Sequence, residues 1–147
     1  MQAAIGRTQL RKLSQSVQVR NENAALLREG MSLIPGIRVP APPRHVRHAY
    51  YKFYAFVEPS ALRSGWNRDR ILAEITTTGV PCYSGSCSEV YLERAFESGR
   101  SRPSERLPIA RELGETSLMF LVHPTLGPEQ MRRTLDVAAG VMKRAVR

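Results

Sequence analysis

The side chains best suited to chemistry are concentrated in one short stretch, Val80-Pro81-Cys82-Tyr83-Ser84-Gly85-Ser86-Cys87-Ser88-Glu89. Two thiols, three serine hydroxyls, a phenol and a carboxylate fall within it, in the small, turn-rich composition of a loop that lines a site. Serine and glycine around Cys87 have the look of a nucleophile turn or a phosphate-binding nest. They are equally the ordinary residues of a turn, and a nucleophile needs a positioned base that this sequence does not nominate. Zinc is a second reading of Cys82 and Cys87, but His45, His48 and His123 do not complete a ligand pattern with them. With no secretory signal at the start, both cysteines are expected to be reduced thiols with structural or incidental roles.

The familiar catalytic signatures are missing. There is no glycine-rich phosphate loop, no G-x-S-x-G elbow and no H-E-x-x-H pair. A length of 147 residues suits one domain. The 42% hydrophobic and 24% charged content is that of an ordinary globular chain rather than a disordered one. No apolar run approaches the ~20 residues of a membrane-spanning helix, so a cytoplasmic address with no membrane partner is expected. The net charge of +9 is carried almost entirely by arginine, with lysine only at positions 12, 52 and 143. Such a surface attracts phosphate, whether in nucleic acid, an anionic membrane or a phosphorylated small molecule, and arginine suits bidentate contacts. A domain separated from its partner would show the same imbalance.

The elements that must position these groups follow from periodicity. Ile5, Leu10, Leu13, Val17, Ala24 and Leu27 share one face of a helix over residues 2–28, ending before the Ile34-Pro35-Gly36 turn. The lack of a cap ahead of Gln2 points to upstream sequence. Pro40, Pro42 and Pro43 make an extended connection to an aromatic strand over residues 47–57, with Tyr50, Tyr54 and Phe56 on one side and Tyr51, Phe53 and Val57 on the other. Its alternation with basic residues could serve as a nucleic-acid stacking platform, although such strands more often supply core. Asn67 caps a helix over 68–78 that turns Ile71, Leu72 and Ile75 inward and stops at Gly79. A short helix is expected at 89–96, a polar loop at 98–104, and a helix at 107–113 with Pro108 in its first turn and Gly114 as its stop. An apolar strand at 117–122 precedes a final helix from Pro128, with Met131, Leu135, Ala138, Met142 and Val146 as its stripe. This order predicts a two-layer α/β arrangement around a small sheet.

Three stretches resemble the C-terminal region of the DegT/DnrJ/StrS-type sugar aminotransferases, which are fold-type I enzymes dependent on pyridoxal phosphate (PLP). Gln2-Ala3-Ala4-Ile5-Gly6-Arg7-Thr8-Gln9-Leu10 is similar to the opening of that family's long inter-domain helix. Pro35-Gly36-Ile37 followed by His48-Ala49-Tyr50-Tyr51-Lys52-Phe53-Tyr54 is similar to its proline–glycine turn and histidine-led first strand. Arg106-Leu107-Pro108-Ile109-Ala110 through Met119-Phe120-Leu121-Val122-His123-Pro124-Thr125-Leu126 is similar to its closing helix, strand, turn and helix. Order and spacing match over nearly the whole chain.

The resemblance implies a long inter-domain helix over residues 1–30 and a small C-terminal α/β (α+β) domain over 31–147, with a mainly antiparallel sheet and helices packed on it. It also implies an N-terminal PLP-binding domain absent from this chain. The whole enzyme would be a homodimer that moves an amino group, commonly from glutamate, to a nucleotide-linked keto-sugar, with PLP as the electron sink. None of the three lysines sits in a motif like the family's Schiff-base lysine. This chain alone is therefore expected to carry no catalytic residue, bind no PLP and be inactive. Where the family has an aromatic residue and a P-L-H-like turn at the substrate entrance, this sequence keeps the aromatic at Tyr83 and then departs, so no histidine role carries over. Tyr83, Ser86, Ser88 and Glu89 are the candidates to contact a sugar, by position and hydrogen-bonding capacity. Two alternatives stand beside this reading, a free-standing basic module that binds nucleic acid and a protein-interaction domain built on the apolar face of the first helix.

Overall fold

The computed structural model describes residues 1–97 and 102–147; part of the loop expected at 98–104 lies outside the described residues. Among the described residues four α-helices and four short strands follow in this order: α1 (Gln2–Met31), β1 (Ile37–Arg38), β2 (Phe53–Val57), α2 (Arg68–Thr77), β3 (Cys82–Tyr83), α3 (Pro108–Thr116), β4 (Ser117–Phe120) and α4 (Pro128–Ala145). The sheet runs β1-β2-β4-β3 with antiparallel pairing throughout. The two-layer architecture and antiparallel sheet expected from the sequence are present.

Register decides which side chains share a face, because residues directly opposite one another on neighbouring strands project to the same side. Phe53 pairs with Phe120 and Ala55 with Leu118, and Cys82 also pairs with Phe120. These residues, with Val57 and Ile37, are buried and form the inner face. The last turns of α1 (Asn23, Ala24, Leu27, Met31), Ile71 and Ile75 of α2, and Met131, Ala138, Val141, Met142 and Ala145 of α4 complete the core. One buried polar group in this layer is satisfied: Asn23 Nδ2 donates to the Leu126 carbonyl at 2.9 Å and fastens the turn before α4 to α1. On the outer face, Tyr54 pairs with Met119 and Met119 with Tyr83, so the three side chains form a row.

Several expected elements are shorter or longer than periodicity alone indicates. The aromatic strand is β2, residues 53–57 only. Ahead of it, Asn21 Nδ2 donates to the His48 carbonyl (3.1 Å), and Arg20 Nη1 donates to the carbonyls of Tyr50 (3.3 Å) and Tyr51 (2.9 Å). Those acceptors are taken by α1 and not by a neighbouring strand. Tyr50 adopts φ 43°, a region costly for a bulky side chain and incompatible with a continuing strand. The helix ending at 113 instead runs through Gly114 to Thr116 and passes directly into β4. A Cβ at Gly114 would run into Ser88 Oγ, so glycine there serves close packing rather than termination. The helix expected at 89–96 is a pair of single 3₁₀ turns at Val90–Leu92 and Arg94–Phe96. Asn67 caps α2 as expected, with Oδ1 accepting from the Arg70 amide at 2.9 Å. In α4, Leu135 is only partly buried, and Val146 lies beyond the helix end, where it bridges to Leu62.

The stripe on α1 divides. Ala24 and Leu27 are fully buried, but Ile5, Leu10 and Leu13 are exposed, Leu10 at 68%. Replacement of Leu27 by Ala is therefore expected to cost ~2–5 kcal/mol, as for other buried leucines. Replacement of Leu10 by Ala should stay within ~0.5 kcal/mol. Urea unfolding of the two variants measures the difference.

Candidate functional site

The outer face of the sheet carries the candidate residues. Gly85 lets the chain turn there. Its φ of 88° is open to glycine at no steric cost, and a Cβ would lie 2.8 Å from Ser117 Oγ and 3.1 Å from the Tyr54 ring. The turn is tied to the sheet by Ser117 Oγ donating to the Ser84 carbonyl at 2.5 Å. Arg68 Nη1, from the start of α2, donates to the carbonyls of Ser84 (3.1 Å) and Ser117 (2.9 Å). Ser86 is thereby brought over β2, where its Oγ lies 2.9 Å from Tyr54 Oη.

Ser86, Ser88 and Glu89 line one shallow groove of about 410 Å³, together with Arg68, Cys87, Glu93, Arg94 and Glu115. Tyr83 does not line it. It stands on the neighbouring β3, 48% exposed, with Lys52 Nζ 5.9 Å from its ring centroid. The structure thus groups three of the four candidates and sets the fourth beside them, along the outer row that Tyr54 shares.

Glu89 is the most heavily engaged of the four. Its carboxylate accepts from Arg106 Nε (2.9 Å) and Nη2, and from Tyr91 Oη (2.7 Å). Tyr91 Oη in turn accepts from the Leu107 amide at 2.9 Å. These bonds fasten the candidate loop to the approach to α3. Arg106 first, and then the Tyr91 hydroxyl, hold the Glu89 carboxyl down to about 2, while burial and the neighbouring carboxylate push the Tyr91 phenol up. Glu89 is therefore an acceptor and an anchor at neutral pH, not a proton donor.

The two cysteines separate. Cys82 is buried in the core, which pushes its thiol up to about 12, and it packs as a small apolar group. Cys87 is exposed, with Sγ 3.5 Å from Glu93 Oε1. Among the described residues no three histidine, cysteine or acidic side chains gather as a metal centre would require.

Residues that sequence reasoning passed over complete the surface. Lys52 lies near both the Tyr51 and Tyr83 rings, Tyr54 contacts Ser86, and Arg68 holds the turn. The aromatic–basic alternation at Tyr51-Lys52 was the available signal. The positive φ at Tyr50 has no signature in residue type.

The arrangement of a small antiparallel sheet backed by helices recurs as a part of longer aminotransferase chains. The chain belongs to the DegT/DnrJ/EryC1/StrS aminotransferase family, whose sequence profile matches residues 1–138. It is similar to an aminotransferase from Psychrobacter cryohalolentis at 44% identity and a TM-score of 0.91, over 97% of this chain and 38% of that one. It is also similar to the aminotransferase TlmJ from Streptoalloteichus hindustanus, at 25% identity, a TM-score of 0.81, and coverage of 96% and 36%. DesV of S. venezuelae, solved in complex with a ketimine intermediate, shares the fold at 24% identity, with a TM-score of 0.84 and coverage of 98% and 36%. The chain therefore spans less than two fifths of the length of these relatives. No curated protein matches it. Among the described residues, no helix is long and apolar enough to cross a membrane.

The family uses PLP, and the residues described here do not form a place for it. Lys12 is exposed. Lys52 and Lys143 each line a cavity, of about 250 and 360 Å³, but no aspartate or glutamate lines either one to pair with a pyridine nitrogen. No step is assigned to PLP on this chain.

The Glu89 anchor has a definite pH signature. Its folded value lies below the ~4.3 of an unfolded glutamate, so the stability it contributes is present above that value and is lost as pH falls toward 2. Wild type should exceed Glu89→Gln in urea midpoint at about pH 7, with the gap closing between about pH 4 and 2.5. A gap independent of pH would contradict the ionised role.

Proposed function

We propose that this chain is the small C-terminal domain of an aminotransferase acting on a nucleotide-linked keto-sugar, and that it supplies substrate covering and specificity. The observation that carries this reading is the family match over residues 1–138, together with 44% identity to an aminotransferase over 97% of the chain. In this reading residues 1–30 are the inter-domain helix and 31–147 the small domain. The PLP-binding domain, with the lysine that holds the cofactor, is contributed by a region this chain does not contain. PLP, when bound there, withdraws electrons from the carbon that exchanges its amino group.

The residues on this chain bind and orient. Ser86 and Ser88 offer hydroxyls that both donate and accept, Glu89 offers acceptor oxygens, and Tyr83 offers an exposed ring, which together suit a polyhydroxylated sugar. The exposed apolar residues of α1, Ile5, Leu10 and Leu13, lie on a helix that also carries Arg7, Arg11 and Lys12. That surface is suited to the larger domain, and the assembled enzyme is a cytoplasmic homodimer.

The test supplies the chain with the region of the Psychrobacter cryohalolentis aminotransferase that it lacks. The assembly should show PLP absorbance and transfer an amino group from glutamate to a nucleotide-linked keto-sugar, whereas the chain alone should trap no PLP after borohydride reduction. An assembly that binds PLP but leaves every nucleotide-linked keto-sugar unchanged would defeat the proposal, as would a reduced PLP adduct on Lys12, Lys52 or Lys143.

A further inference from the structure

A second cavity, lined by none of the groove's residues, is built where the end of α4 meets the turn after α1. Leu62 and Val146 pair there as an isolated antiparallel bridge. The Arg63 amide donates to the Ala145 carbonyl (2.8 Å) and the Arg147 amide to that of Ala61 (3.1 Å). Gly36 brings the turn close: its φ is 77°, and a Cβ there would lie 3.0 Å from Val146 Cγ2 and 3.1 Å from Met142 Cε. A space of about 360 Å³ remains between the turn and the helix end.

The floor of this cavity is apolar and its rim is cationic. Ile34 and Met142 are buried at its base, Val146 is half-buried beside them, and Leu33 stands 80% exposed at its edge. Arg63, Lys143 and Arg147 also line it, and no carboxylate does. Both arginines are fixed through Nε, Arg63 to the Val146 carbonyl at 2.6 Å and Arg147 to that of Leu62 at 2.9 Å. Their terminal nitrogens and Lys143 Nζ make no hydrogen bond or ion pair among the described residues. A guanidinium held in this way offers a preformed fork to a carboxylate. A few convergent charged groups over an apolar floor, in a cavity of this size, are the mark of a small-molecule site.

We propose that this cavity binds a carboxylic acid with a hydrocarbon body. The carboxylate lies against Arg63, Lys143 and Arg147, and the hydrocarbon covers Ile34, Met142 and Val146. Other occupants fit less well. A second copy of a chain with net charge +9 brings mainly like charge to these three cations. A flat anionic membrane reaches Leu33 but not the recessed Ile34 and Met142. The larger region of the proposed enzyme is assigned to the surface of Ile5, Leu10 and Leu13, and α1 rises roughly 27 Å between Leu13 and Met31, short of the cavity.

The experiment titrates the chain with octanoate while following the methionine methyl resonances by NMR, Met142 at the cavity and Met119 on the outer face of the sheet. A saturable shift at Met142 and none at Met119 is expected. Each pair of methylenes removed, from octanoate to hexanoate to butanoate, should weaken binding about tenfold. Octanol, which has the hydrocarbon without the charge, should bind about tenfold more weakly than octanoate. Ala139→Phe, at an exposed position of α4 that lines the cavity, should fill it and abolish the shift. Lys143→Glu, which leaves the apolar walls intact, should weaken binding about tenfold. No saturable shift at Met142, octanol binding as tightly as octanoate, or unchanged affinity in both variants would overturn the site. So would a Met142 shift that grows with protein concentration alone, which gives the surface to a second copy, or binding to phosphatidylglycerol vesicles with no response to octanoate, which gives it to a membrane. The readout involves neither PLP nor transamination, so its failure and the failure of the aminotransferase reading are separate results.

Discussion

Arg20 and Asn21 capture the carbonyls of His48, Tyr50 and Tyr51, and much of the outer surface depends on that capture. A backbone acceptor must find a donor, and here α1 supplies it in place of a neighbouring strand. Strand β2 begins at Phe53, after Tyr50 has taken a positive φ. The same α1 that buries Ala24 and Leu27 in the core thus sets where the open face of the sheet ends and which rings stand beside it. Core packing and surface chemistry are coupled through two adjacent polar side chains on one helix turn.

The loop on the other side of the row is held by a different physics. Gly85 and Gly114 permit close approach, one to Ser117 and Tyr54, the other to Ser88. Arg68 and the Glu89–Arg106–Tyr91 network then supply directional bonds. A half-exposed ion pair is ordinarily worth little. This one is bidentate, and Tyr91 adds a third bond to the same carboxylate while its oxygen accepts the Leu107 amide. Positioning the loop between residues 84 and 89 thus rests on geometry that glycine allows and charge then fixes.

How far the sequence reveals this depends on whether the deciding contact is local. The cap at Asn67, the final helix, the inward faces of α2 and α4, and the apolar strand at Ser117 are all set by neighbours a few residues apart, and periodicity finds them. At the early end of the aromatic strand the acceptors are taken by side chains some 30 positions away. Composition holds no trace of it. The two-residue strands β1 and β3 are too short for any alternation to register, and they exist because β2 and β4 offer them edges. The α1 stripe illustrates the opposite hazard. Its periodicity is genuine from Ile5 to Leu27, yet only its C-terminal part meets this core. Among the candidate residues, Glu89 was legible as a polar group in a turn-rich loop. Its engagement with Arg106, 17 positions on, was not.

The charge of the chain gains its meaning from placement. Arg68, Arg70, Arg106, Arg111 and Arg144 are committed to carboxylates, so they add little to any external field. Lys52 and Arg20 are not, and they sit beside exposed aromatic rings rather than along an extended track. In the proposed function the groove beside this row binds and orients the substrate. Remote contacts can contribute to catalysis in that way without any group on this chain touching the reacting bond.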